Sequence, residues 1–338
     1  MFEKLRFGLA LAVCAPGFLA SLPARADIVE LRIAKQYGVA YLPLIVMENE
    51  KFYEKRAAEL GIATKPVFVT LGNNTAVNEA LISGNIDVVT NGPPGFLIFW
   101  ARTKGTKNEV RGIAPLLSQS SWLNTRDPNV KSIRDFTDKD RIALSAVKTS
   151  GQAVLLQMAA AKAFGEKEYG KLDPLTVSLP HPDGMNMLLA GKTEITAHFT
   201  GPPYQNIEAG KPGIHTILTS EDVMGGPSTF NLLFTTVKLE QSNPKAVEAL
   251  VKALGDAESF IRNNKDKAAE MFMAAGGGSN LSKAEVLSLL NDPGIQFTLT
   301  PQKMMTYATF MARSGTLKVT PGSWKDLFFS YIHDQPGD

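Results

Sequence analysis

One cysteine, four histidines and three tryptophans in 338 residues leave little material for reactive chemistry. A lone thiol at Cys14 can close no intrachain disulfide and offers no paired-cysteine metal spacing. Neither H-E-x-x-H nor G-x-S-x-G occurs, so zinc hydrolases and nucleophile-elbow enzymes lack their signatures. His198 and His215 have no carboxylate or thiol at ligand spacing, so no metal and no cofactor is expected. Charge of one sign is missing as well: 35 basic residues face 33 acidic ones, which gives no purchase on nucleic acid or anionic lipid. Beyond the N-terminal segment, no apolar run reaches the roughly twenty residues a membrane helix needs.

What is present begins with an export signal. Lys4 and Arg6 precede an apolar run from Phe7 to Val13, continued by Ala15 to Leu22, and Ala24-Arg25-Ala26 supplies a small-x-small cleavage pattern. Residues 1–26 are therefore expected to be removed, leaving Asp27 first and the protein in the periplasm. Cys14 follows Val13, where a lipid-attachment site wants a small residue. Loss of Lys4, Arg6, Arg25 and Glu3 takes the chain to 32 basic and 32 acidic residues. Residues 27–338, drawn from a chain of 44% hydrophobic content, suffice for two cores held by packing alone.

The organising stretch runs from Asn74 to Arg102, NTAVNEALISGNIDVVTNGPPGFLIFWAR. Asn74 or Thr75 can cap a helix with Val77, Leu81 and Ile82 on its apolar face. Gly84 ends it, and a buried strand from Ile86 to Thr90 runs into the turn Asn91-Gly92-Pro93-Pro94. The pattern returns after about one hundred residues: Met187 to Gly191, then Thr193 to Phe199, then Thr200-Gly201-Pro202-Pro203. Gly to Gly is eight residues in the first copy and ten in the second. Two copies make two similar α/β lobes, each presenting a polar turn at the carboxyl end of a strand, where open α/β sheets bind ligands.

Other strand ends share this character. The strand Val29–Ala34 leads to Gln36-Tyr37-Gly38-Val39-Ala40-Tyr41 and one amphipathic helix from Leu42 to Tyr53. There the tyrosines either pack helix on sheet or contact a ligand. Pro66–Leu71 ends at Gly72-Asn73-Asn74-Thr75, and Arg141–Ala146 leads to Thr149-Ser150-Gly151-Gln152. Both turns open helices whose first N–H groups point outward, which favours an anion or a carbonyl, unless they are ordinary caps. Ser118 to Trp122 reads as a crossing between lobes, with Trp122 lining a cleft or covering an edge. Strand and helix alternate onward to Thr229–Val237, which carries the chain back. Helices follow at 243–262, 265–275, 282–290, 301–313 and 324–332, so the first lobe is discontinuous.

The signal sequence, QYGVAYLPL, ALISGNIDVVTNGPP, VKTSGQAVLLQMAAAKAFG and NPKAVEALVKALGDAESFIRNN, in this order, resemble a substrate-binding protein of an ABC importer. The group is the nitrate, sulfonate and taurine family, related to proteins that bind thiamine pyrimidine precursors. The resemblance implies the two-lobed type II periplasmic-binding fold, each lobe a mostly parallel sheet flanked by helices. Residues 27–119 and 238–338 would form lobe I and 120–237 lobe II. It puts ligand contacts on Gln36, Tyr37, Tyr41, Asn73, Asn74, Thr75, Asn91, Gly92 and Pro93. Opposite them it puts Thr149, Ser150, Gly151, Gln152, His181, Asp183, Thr200 and Gly201; Trp122 is a further candidate from its place at the crossing alone. Asp87 is expected to brace its strand.

Apart from Lys148, these loops carry no basic residue, so an anion would be held by N–H groups, hydroxyls and amides. Tyr37, Tyr41, Phe96, Trp122 and Phe199 add aromatic surface, which suits a small organic ligand, sulfonate, carboxylate or heteroaromatic, better than nitrate or sulfate. The partners implied are that ligand and an ABC permease with its ATPase, engaged by a monomer. A sensor docking on a receptor is the alternative. The pyrimidine-synthesising relatives are enzymes, but the cysteine cluster they carry is absent here, and no nucleophile accompanies His181 and Asp183. Intact mass of exported material should begin at Asp27, and a lipid adduct on Cys14 would overturn the expectation of a soluble protein.

Overall fold

A computed structural model describes residues 30–277 and 281–338; the expected signal peptide, 1–26, lies outside the described residues. Its ten strands, in chain order, are β1 Glu30–Lys35, β2 Lys65–Thr70, β3 Val89–Asn91, β4 Val110–Ser118, β5 Trp122–Thr125, β6 Ile142–Leu144, β7 Thr176–Ser178, β8 Ala197–Thr200, β9 His215–Thr219 and β10 Thr229–Thr236. The first lobe's strands lie in the order β2-β1-β3-β10-β4. β1 and β2 pair in parallel, a parallel bridge from Ile33 to Val88 ties β1 to the approach of β3, and β10 lies antiparallel between β3 and β4. The second sheet runs β7-β6-β8-β5-β9, with β5 antiparallel to its neighbours β8 and β9.

The two orders are the same once the reversed strand is identified in each. It is the strand that arrives from the other sheet: β5 follows β4, and β10 follows β9. In both sheets the other four strands run one way, so their carboxyl ends share an edge. The Gly-Pro-Pro turns follow β3 and β8, the third positions of the common order, and the glycines ending the preceding helices are both left-handed, Gly84 at φ 71° and Gly191 at φ 70°. The internal repeat is thus a repeat of structure.

Two elements differ from expectation. The helix after Tyr41 is broken at Lys51, a non-glycine residue at φ 56°, into Leu42–Glu50 and Phe52–Glu59. This bend lets the second piece lie against the long helix Pro244–Asn263, with Arg56 Nε 2.7 Å from Asp256 Oδ2. At the C-terminus, 324–332 forms two 3-10 turns, Trp324–Leu327 and Ser330–Ile332, rather than one helix. Leu327, Phe328 and Phe329 are consecutive and all buried there, which the single apolar stripe of one amphipathic helix does not provide.

Asp87 braces the first sheet. Its Oδ2 accepts from Arg32 N at 2.9 Å and Arg32 Nε at 2.8 Å, its Oδ1 from Arg32 Nη2 at 2.7 Å, and its main-chain oxygen from Thr235 Oγ1 at 2.6 Å. One aspartate therefore fastens β1, the approach to β3 and β10 together. Asp87→Ala should lower stability by about 1–3 kcal/mol in urea denaturation while changing ligand affinity less than twofold; a larger loss of affinity would make Asp87 part of the binding surface.

Candidate functional site

Both sheets aim their strand ends at one cleft, which as the lobes stand encloses a cavity of about 40 Å³ within about 600 Å³ of space that includes open solvent. From the first lobe come Gln36, Tyr37 and Tyr41 after β1, Gly72 and Asn74 after β2, and Gly92 after β3. From the second come Ser145 after β6, Gly151 and Gln152 at the start of the helix Gly151–Phe164, and His181 after β7. Ser121 and Ser228 to Asn231 line it from the chain's two crossings, and Tyr307 from the helix Met304–Arg313.

The lobes are closed on one another. Gln36 Nε2 donates to Asn74 Oδ1 at 2.7 Å, Asn74 Nδ2 to Ser145 Oγ at 3.4 Å, and Ser145 Oγ to Gln152 Oε1 at 3.4 Å, a polar chain from one lobe to the other. Val39 N donates to Pro202 O at 3.3 Å, and a Cβ on Gly92 would stand 3.4 Å from Gly151 N. Gly38, at φ 115°, has Pro202 O 3.2 Å from where its Cβ would be. The absence of side chains at Gly38 and Gly92 lets the backbones approach this closely.

Among the described residues, no Lys, Arg, Asp or Glu lines the cleft. Four helices of eight or more residues begin at it, Asn74–Ile82, Pro93–Thr103, Gly151–Phe164 and His181–Ala190, and their free N–H ends make it favourable to negative charge without a cation. Burial pushes the Tyr41 hydroxyl up to about 12, and burial together with the neighbouring His198 holds His181 down to about 3. Both are therefore neutral near pH 7. Burial likewise raises Tyr307, whose hydroxyl is near Ser228.

The other expected residues, Thr75 aside, are not among those that line this cleft. Asn73 and Ser150 cap their helices, accepting from Ala76 N at 3.1 Å and Ala153 N at 3.2 Å. Thr75 is in the first turn of Asn74–Ile82, and its side chain lies outside what is described. Asn91 is buried, donating to Asn78 Oδ1 at 2.9 Å and accepting from Gly92 N at 2.8 Å; Pro93 is buried in the next turn. Thr149 precedes the Ser150 cap without lining the cleft, and Asp183 is in the first turn of His181–Ala190. Thr200 is buried with its hydroxyl 2.9 Å from His181 Nδ1, and Gly201 is packed under Gln119. Trp122 lines a different depression, with Pro202, Gln205 and Pro293.

Asn231, Phe230, Tyr307, Ser145 and Ser228 escaped sequence reading. Asn231 is the most telling. It is 2% exposed, it lines the cleft, and neither its Oδ1 nor its Nδ2 has a hydrogen-bond partner. Its carboxamide faces the Tyr41 hydroxyl without closing a bond of ordinary geometry. A polar residue inside the apolar strand TFNLLFTT was the available signal. Tyr307 had none, because its neighbours Met304, Ala308 and Met311 are ordinary buried helix residues.

Residues 27–275 match the sequence pattern of the NMT1-like family. Among solved structures, the chain resembles the alkanesulfonate-binding protein SsuA from Xanthomonas axonopodis pv. citri bound to MOPS, with TM-score 0.66 and 16% identity over 87% of this chain and 96% of that one. It also resembles the periplasmic nitrate-binding protein NrtA from Synechocystis PCC 6803, with TM-score 0.67 and 15% identity over 89% and 85%. The periplasmic aliphatic sulphonate-binding protein SsuA from Escherichia coli gives 0.63 and 15% over 90% and 93%. At such identities the likeness establishes the periplasmic-binding fold. No curated protein sequence matches the chain. Asn231→Leu, which removes two unsatisfied buried groups while keeping volume, should leave the unliganded protein equally stable or up to about 1–2 kcal/mol more stable in urea denaturation; a loss above about 1 kcal/mol would mean that Asn231 already has a partner.

Proposed function

We propose, from the premise that this chain belongs to the NMT1-like family, that it is an exported, monomeric solute-binding protein which captures a small organic molecule between its lobes and delivers it to an ABC importer. The observation that carries this reading is the closed interlobe cleft with the unpaired Asn231 amide in its wall. A buried amide without partners costs free energy that a bound solute recovers. The ligand class follows from the same wall. Neutral donors and four helix N-termini favour a carboxylate, a sulfonate or a polar heteroaromatic ring, and Tyr37, Tyr41 and Phe230 supply surface for its apolar body.

The moving bodies in this reading are residues 27–119 with 238–338 against 120–237, turning at the crossings. Closure assembles donors that neither lobe holds alone, so the ligand selects the closed form and the permease recognises it. A receptor reading closure would use the same motion; an enzyme would need an activated nucleophile, and among the described residues that line the cleft the hydroxyls have no base beside them but His181, whose Nδ1 is tied to the interior. Mass spectrometry of molecules released on denaturing the purified protein identifies the ligand, which at a thousand times its dissociation constant should add about 4 kcal/mol of stability. Small-angle scattering should then show a smaller radius of gyration on adding it to stripped protein. Turnover of the compound, or an unchanged radius, would overturn the proposal.

A further inference from the structure

Behind His181 lies a buried pair that ligand contact does not explain. Glu208 and His198 are both 0% exposed, with His198 Nδ1 2.6 Å from Glu208 Oε1. Asn124 Nδ2 donates to the Gln205 carbonyl at 3.0 Å and to Glu208 Oε2 at 2.9 Å. Because a carbonyl only accepts, that amide is fixed with its NH2 toward Glu208, so Oε2 is an acceptor and carries no proton. On its other side His198 Nε2 is 3.2 Å from His181 Nδ1, which the Thr200 hydroxyl also approaches to 2.9 Å. His181 stacks against Tyr204 with ring centroids 6.0 Å apart, and since its Nδ1 is turned inward, Nε2 is the polar atom it has left for the cleft.

This arrangement is built for the pair and is not demanded by the fold. A Cβ at Gly184 would stand 2.8 Å from His198 Nε2, so the helix His181–Ala190 can cover the ring only with glycine there. In the other copy of the repeat the position three residues before the Gly-Pro-Pro turn is Val89, fully buried. An apolar residue therefore serves the same strand where no polar partner is needed.

A carboxylate with no exposure and no other cation bonded to it is costly unless a proton neutralises it. We propose that the Glu208–His198 pair holds one proton more than a bare carboxylate beside a neutral imidazole, so that His198 donates Nε2–H to His181 Nδ1 and fixes His181 as the tautomer showing Nε2–H to the cleft. The cleft is then offered a neutral N–H donor at this point. A solute with an acceptor oxygen there, a carboxylate, sulfonate or carbonyl, is selected over one presenting an amine. His181 is thus a specificity-determining residue and His198 and Glu208 position its proton; only this selectivity rests on the solute-binding reading.

The tautomer is read in ligand-free protein by long-range proton–nitrogen NMR of labelled histidine rings, with His215→Gln and His333→Gln assigning the other two. His181 should show the Nε2–H pattern, and Glu208→Gln should keep it, because the Asn124 NH2 holds the new amide oxygen and turns its NH2 toward His198 Nδ1, leaving the His198 proton on Nε2; conversion to Nδ1–H would overturn the proposal. An Nδ1–H pattern for His181 in the unaltered protein overturns the proposal, even if Glu208→Gln does not fold. Failure to find any bound solute would sink the transport reading and leave the tautomer result standing. Selectivity is read with pentanoate and pentylamine by thermal shift: stabilisation by the amine alone would also overturn the proposal.

Discussion

The pairing of Ser118 with Thr229 sets the geometry of the whole molecule. These residues end β4 and begin β10, so the two passages between the sheets, Gln119–Ser121 and Gly225–Ser228, leave from the same spot. The C-terminal segment locks it from outside: Ser118 and Gln296 exchange main-chain hydrogen bonds of 2.9 Å each, and Thr229 N donates to Gln302 O at 3.1 Å. With both connections at one place, the sheets can face each other only across the side where their strands end. That is why the loops carrying Gln36, Asn74, Gly92, Ser145 and His181 meet.

A cleft formed this way is polar without being charged. Its walls come from strand-to-helix turns, which supply N–H ends, and from the crossings, which supply Ser121, Ser228 and Asn231. The charged groups nearby are used elsewhere: Arg32 with Asp87 in the first sheet, Lys35 with Glu48 at 3.0 Å, and Glu208 with His198 under the second lobe's floor. In the proposed solute-binding reading, selectivity depends on which way each neutral donor and acceptor points, and the proposed buried proton decides that for His181.

The repeat shows how two lobes of one plan diverge. Both copies keep the helix-ending glycine, the third strand and the Gly-Pro-Pro turn. The first turn starts an eleven-residue helix at the cleft, whereas the second contains a cis Pro202–Pro203 bond, reaches across to Val39 and starts a helix of six residues. One copy has become cleft wall and the other a clasp with a polar interior.

Local signals determined the elements themselves, because caps, terminating glycines and apolar periodicity act within a few residues. The two-copy plan, the α/β class and the loops after β1, β2, β3, β6 and β7 were legible from Gln36, Asn74, Gly92, Gly151 and His181 in that way. Tertiary structure decided what each polar residue does there, since burial and partner are set by segments far apart in the chain. It turned Asn73 and Ser150 into caps, sent Trp122 to another face and left Asn231 unpaired. It also brought in Tyr307 and joined Glu208 to His198 and His181, through contacts that no local pattern encodes.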